Sequence, residues 1–212
     1  MDIRAHKMFA WSGPVSMLMF VIASSMAGFL TPPSPAASAE QIASLYRTNG
    51  NAIGIAAILV MLSVAPFLLF IAVLSAQIKR IEGDRRTFTY AQLAAGTASM
   101  TPIILIPLAW SVAAFRPERS DQLIQAFNDL ASITQVMVTP PAMVQILAVS
   151  LAILSDTRAR PIFPRWLGYL SVLCAIADVP GLLCVLYKTG PFAWNGIIAR
   201  SYLINTFNRL IS

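Results

Sequence analysis

Six long apolar runs occupy most of the chain, at residues 8–30, 52–76, 90–114, 131–154, 164–187 and 192–211. A helix rises about 1.5 Å per residue, so roughly 20 apolar residues cross a hydrocarbon core about 30 Å thick. Runs this long and continuous do not suit a barrel, whose strands alternate over about ten residues. The bilayer interior cannot hydrogen-bond an open strand edge, so helices are the expected element. Charged residues make up 11% of the chain, against roughly a quarter in a soluble domain. The reading is an all-α integral membrane protein: one bundle of six transmembrane helices spanning residues 1–212.

The sixth run carries the most polar cargo. Asn195, Arg200, Asn205 and Asn208 do not share one helical face. An arginine at the centre of an inserted helix costs about 2.5–3.5 kcal/mol. This run must pack among other helices or lie in the interface, and five crossings with an interfacial C-terminal helix is the alternative. The basic start of the chain and Ala37-Ser38-Ala39 imitate a signal peptide, but the first apolar stretch exceeds the usual 7–15 residues. It reads as an anchor.

Basic residues orient the bundle. Arg4, Lys7, Lys79, Arg80, Arg85, Arg86, Arg158, Arg160, Arg165 and Arg209 fall on one side, and Arg47, Arg116, Arg119 and Lys188 on the other. By the positive-inside rule both termini face the cytoplasm. The net charge of +6 is then chiefly a topology signal, and without a basic soluble domain nucleic acid is not an expected partner.

Two amphipathic stretches lie on the outer side. Ser38-Ala-Glu-Gln41 has the form of a capping box and opens a helix with Ile42, Leu45 and Tyr46 on one side. Residues 121–133 place Leu123, Ile124, Phe127 and Leu130 at helical spacing. They are either lids or docking surfaces for a partner, or plain covers for helix ends. Small residues at four-residue spacing, such as Ser24 and Gly28 or Gly50 and Gly54, permit close helix approach within the bundle or between chains.

Chemistry-bearing residues are few. His6 is the sole histidine, so haem with histidine ligands, zinc and a histidine-based triad all lack groups. Cys174 and Cys184 are ten residues apart, about 15 Å of helix rise, too far to bridge. No catalytic residue, metal or cofactor is expected, and the inventory argues against an enzyme; a bound lipid or other apolar ligand is compatible with it.

One constellation lies inside the membrane. Asp178 and Arg200 are each eleven residues from Thr189, the turn between the last two runs. In an antiparallel hairpin equal distance from the turn means equal depth, and a facing pair relieves the cost of two lone charges. Asn195, Gln145 and the Pro140-Pro141 kink complete a candidate polar pocket, with Pro180 adding a bend beside Asp178. Such a pair is either a ligand or proton site, or a salt bridge that fixes helix register. Asp178→Asn separates the two: it weakens folding in the second case, and spares folding while abolishing activity in the first.

Several phrases occur together: Ser38-Ala-Glu-Gln-Ile-Ala with Tyr46-Arg-Thr-Asn49, Arg80-Ile-Glu-Gly83, Ala114-Phe-Arg-Pro117, Phe163-Pro-Arg-Trp-Leu-Gly-Tyr169 and Gly190-Pro-Phe-Ala-Trp-Asn-Gly196. In these the chain resembles an uncharacterised family of small bacterial multi-helix inner-membrane proteins, a domain of unknown function. The resemblance implies a bacterial inner (cytoplasmic) membrane location and transfers no catalytic residue. Two functions then compete, with an intramembrane enzyme third. The first is a non-catalytic accessory or scaffolding subunit docked to other integral membrane proteins in a larger complex. The second is a carrier, binder or proton-coupled transporter of a small apolar or amphiphilic molecule, with Asp178 and Arg200 in its site.

Overall fold

The computed structural model describes residues 3–198, and the side-chain surroundings within them from residue 8 onward. Among the described residues seven α-helices follow one another: α1 (Ile3–Met26), α2 (Ala39–Glu82), α3 (Thr87–Ala98), α4 (Thr101–Phe115), α5 (Asp121–Met137), α6 (Pro140–Leu154) and α7 (Arg165–Asp178). A 3-10 helix, Val179–Val185, continues α7. No strand occurs among the described residues. Grouped end to end, these elements give five helices long and apolar enough to cross a membrane, at Met8–Met26, Ala39–Glu82, Thr87–Phe115, Asp121–Leu154 and Arg165–Val185. Residues 199–212, which hold Arg200 and most of the sixth apolar run, lie outside the described residues.

The spans differ from the apolar runs chiefly in how far helix continues beyond them. The capping box at Ser38 is formed in full: its hydroxyl accepts from the Gln41 amide at 3.2 Å, and the Gln41 side chain accepts from the Ser38 amide at 3.0 Å. The helix it opens runs on for 44 residues into the second span, and leaves helical backbone only at Asn49 (φ −109°, ψ 16°). At 1.5 Å per residue that is roughly 66 Å, twice the hydrocarbon thickness, so part of α2 stands beyond it. Gly83 ends α2 in a positive-φ conformation, its amide returning to the Lys79 carbonyl. The second amphipathic stretch likewise continues, through α5 and α6, into the fourth span.

Neighbours in sequence are neighbours in space. α1 packs along α2, α4 lies against α2 and α5, α3 against α2 and α6, and α7 against α6. Lipid offers helices no hydrophobic drive to associate, so close packing and interhelical hydrogen bonds must hold them. The contacts are of this kind. Ser16 Oγ donates across to the Ser63 carbonyl at 2.6 Å, and Ser150 Oγ to the Gly168 carbonyl at 2.7 Å. A Cβ on Gly168 would come within 2.9 Å of Leu154 Cγ, so that helix pair touches only because residue 168 has no side chain.

The main core lies toward the end of the bundle that carries Arg47 and Arg119. Phe29 stacks obliquely on Tyr46 and Trp110, with ring centroids 5.5 and 4.9 Å apart, amid Ile42, Ile53, Ile106 and Ile124. Arg47 clamps this end: it donates to the carbonyls of Pro117 (2.8 Å) and Arg119 (2.9 Å) and pairs with Asp121 (2.7 Å). That fork fixes α2 to the α4–α5 turn.

Candidate functional site

Three successive spans interrupt their helices within the bundle. The third divides into α3 of 12 residues and α4 of 15, parted at Ser99–Met100; the fourth divides into α5 of 17 and α6 of 15, parted at Val138–Thr139. The fifth changes from α to 3-10 geometry immediately after Asp178. Proline causes all three breaks. Pro102, Pro140 with Pro141, and Pro180 carry no N–H, so carbonyls one turn upstream lose their helical donors.

The molecule repairs two of these breaks locally. Thr101 Oγ1 donates to the Ala98 carbonyl at 2.7 Å, and the Val179 amide donates to Ile176. The middle break is different. Neither Val136 nor Met137 has an i+4 amide available, because those positions are Pro140 and Pro141. The Thr139 hydroxyl beside them is buried and has no hydrogen-bond partner among the described residues.

Asp178 comes level with that break. Ser150 and Leu154 face Gly168, and Val136 faces the position of a Gly181 side chain at 3.5 Å. These pairings set α5–α6 antiparallel to α7 and its 3-10 continuation. Asp178 stands three residues before Gly181, and Thr139 three residues after Val136, so the two are level to within about a helical turn. Asp178 retains only 6% of its surface, and no hydrogen bond or ion pair engages its carboxylate among the described residues. A carboxylate, a hydroxyl and freed carbonyls form an acceptor-rich set. It suits a cation, a proton or a ligand rich in hydrogen-bond donors.

The other predicted residues are placed as follows. Gln145 accepts from Ser99 Oγ at 3.2 Å, and its amide occupies the space a Gly96 side chain would fill. It joins α6 to α3 and lies six residues, roughly 9 Å of rise, from Thr139. Asn195 is half-buried in turns at residues 191–196, where the sixth apolar run was expected to begin as helix. The reason is Gly190-Pro191 followed by Gly196, where any Cβ would collide with the Pro191 carbonyl oxygen. Next to Asn195, Trp194 donates its indole N–H to Pro33 at 2.8 Å and packs with Val136 and Cys184. Six residues of 3-10 rise, roughly 12 Å, part Asp178 from Cys184 at that level. The register therefore sets Asp178 level with the Pro140-Pro141 break, and Gln145 and Asn195 at other depths. The Asp178–Arg200 pairing falls outside the described residues.

Sequence reasoning passed over Gln92. It is fully buried on α3; its side-chain oxygen accepts a hydrogen bond from Ser75 of α2, while its amide nitrogen finds no partner among the described residues. Ser75, Gln92, Ser99 and Gln145 thus form a polar seam through α2, α3 and α6. A lone glutamine in an apolar run signals little by itself, and its one usable clue was four-residue spacing to Gly96. A separate small cleft opens among Phe29, Pro33, Trp110, Asn128 and Gln135. It does not reach Asp178.

At the opposite end Asp156 organises the loop after α6. It binds Arg158 through both carboxylate oxygens (2.8 and 2.7 Å) and accepts the amides of Arg158 and Ile162. Those bonds, the Arg158 side chain first, hold its carboxyl well below the usual carboxylate range despite burial, and Asp156 in turn raises Arg158.

The fold and this interior define a multi-pass helical membrane protein. Compared with protein-family models, with curated proteins and with solved structures, the chain finds no match.

Proposed function

We propose that the protein is a carrier or binder whose small cationic or amphiphilic occupant is held between the fourth and fifth spans, with Asp178 as the charged contact. The observation that carries this is the Val138–Thr139 break, level with a buried carboxylate that no described residue engages. Non-helical backbone at membrane depth persists only where protein buries it or where it lines a polar cavity. Discontinuous helices supply carbonyls and helix ends to substrates and coupling ions. In this reading both termini are cytoplasmic and the membrane is a bacterial inner membrane; the expected sixth crossing and the Asp178–Arg200 pair belong to it too, and lie outside the described residues. The two outer-end helical stretches cap the bundle.

A second reading, an accessory subunit, draws on α1. That helix packs on α2 and leaves Met8, Trp11, Val15, Leu18 and Ile22 exposed at alternating three- and four-residue spacing. Such a heptad stripe fits another transmembrane helix as well as it fits lipid.

Native mass spectrometry of gently extracted protein separates the readings. A carrier retains a defined small molecule, which Asp178→Asn loses while keeping the wild-type melting temperature. Stoichiometric partner chains without any small molecule would overturn the carrier in favour of the subunit. A melting temperature that collapses in Asp178→Asn would make the carboxylate architectural.

A further inference from the structure

The basic end of the bundle carries a second feature, independent of the interior site. Two corners far apart in sequence converge there: the end of α2 and the turn to α3, with Lys79, Arg80, Arg85 and Arg86, and the α6–α7 loop and start of α7, with Arg158, Arg160 and Arg165. Arg158 Nη1 donates to the Arg80 carbonyl at 3.3 Å, which pins one corner to the other. Two of the three acidic residues described on this rim are turned inward. Glu82 accepts from the amides of Phe88 (2.8 Å) and Thr89 (2.7 Å) and from the Thr89 hydroxyl (2.6 Å), and so caps the start of α3. Asp156, with 2% of its side chain exposed, is occupied by Arg158 and its own loop. Among the described residues only Asp84 remains at the surface to oppose Lys79, Arg80, Arg85, Arg86, Arg160 and Arg165, all of them exposed.

Orientation alone does not require this arrangement. Positive charge near the loops would suffice, whether or not the acids were sequestered and the loops joined. Two further details point to phosphate. Arg86 holds φ +57° at the N-cap of α3, a left-handed conformation rare for a long side chain. Trp166, Tyr169 and Tyr90 stand exposed on the first turns of α7 and α3, where interfacial aromatics mark the headgroup level. The basic side chains therefore sit at the depth of lipid phosphates. We infer that the α2–α3 turn and the α6–α7 loop together form a binding site for the phosphate group of an anionic phospholipid. Clusters of this size beside a transmembrane helix attract acidic lipid at about 1 kcal/mol per basic residue, about fivefold in affinity each.

The test is lipid titration of the full chain in detergent, read by native mass spectrometry, with phosphatidylglycerol against phosphatidylcholine. Wild type binds phosphatidylglycerol in preference. Arg85→Gln with Arg86→Asn, and separately Arg160→Gln with Arg165→Gln, each lower its affinity about 25-fold. Arg116→Gln with Lys188→Gln, at the other end, leaves it unchanged. Melting curves confirm that all three variants fold, and single substitutions replace any pair that does not. Equal binding of the two lipids, or loss confined to one loop's variants, would overturn the joint site. Displacement of phosphatidylglycerol by millimolar inorganic phosphate would assign the rim to a soluble anion instead.

Discussion

Gly168 gives the sharpest test of the register on which the placement of Asp178 depends. Replacing a glycine in a helix interior by alanine stabilises the helix by about 1 kcal/mol, because less backbone freedom is lost on folding. At Gly54 nothing lies within 4 Å of the new methyl, so that gain should appear whole. At Gly168 the methyl meets Leu154 Cγ at 2.9 Å, Leu154 Cδ2 at 3.0 Å and Ile153 Cγ2 at 3.3 Å. Leu154 Cγ is a branch point, not a free end, so α6 and α7 must move apart. Overpacking of this kind costs about 1–3 kcal/mol, and separation also stretches the Ser150–Gly168 hydrogen bond. The net expectation is Gly54→Ala stabilised by about 1 kcal/mol and Gly168→Ala destabilised by up to about 2 kcal/mol. For a chain of this length 1 kcal/mol moves the midpoint by about 2–4 °C. Thermal unfolding of both variants in one detergent, followed by tryptophan fluorescence, should therefore part their midpoints by several degrees. Equal upward shifts would mean that α6 and α7 are not in contact at Gly168. Asp178 would then lose its assigned neighbour.

Three further outcomes follow from other contacts. With Cys174 and Cys184 replaced by serine, Val136→Cys and Gly181→Cys should form a disulfide on mild oxidation, since a Cβ at 181 stands 3.5 Å from Val136 Cγ1; an absence of cross-link on a non-reducing gel refutes the pairing. Asp156 has a carboxyl depressed by folding, so its stabilisation is present above the unfolded value near 4 and fades as pH falls below it toward the lower folded value. The midpoint gap between wild type and Asp156→Asn should thus be full at pH 7 and shrink steadily below about pH 4; a gap independent of pH refutes the assignment. Trp194→Phe removes the indole bond to Pro33 and should lower stability by about 1 kcal/mol, read as earlier proteolytic cleavage in the loop after α1.

Much of the architecture was legible in the chain because lipid imposes simple rules. Hydropathy located five spans, and Ser38-x-x-Gln41 announced a helix start that the structure forms bond for bond. Where the reading stopped short, local chemistry competed with hydropathy. The second run was read as 52–76, yet α2 covers 39–82, since Glu40, Gln41, Lys79 and Arg80 are good helix formers that an apolarity scan discards. The start of the sixth run was read as helix because Phe192, Ala193 and Trp194 are apolar. Gly190, Pro191 and Gly196 held the truer signal, that of a turn. The Pro140-Pro141 break was visible as a sequence; its level with Asp178 was not, because register between helices depends on side-chain packing. Glu82 as a cap for the next helix could not be read either, since α3 is preceded by arginines with no local capping side chain.

The interior breaks also bear on what Asp178 is for. A salt bridge that fixed register would need two charged side chains on unbroken helices, and nothing more. Here the carboxylate stands level with two consecutive prolines that strip donors from the Val136 and Met137 carbonyls, and with a buried threonine hydroxyl that no described residue pairs. Each unsatisfied group at membrane depth costs free energy that continuous helix would avoid. The flanking breaks show that the fold can cover such groups cheaply, with Thr101 at one and the Val179 amide at the other. Register alone gives no reason for the described residues to leave the middle break uncovered, whereas an occupant that donates to the carboxylate and carbonyls does.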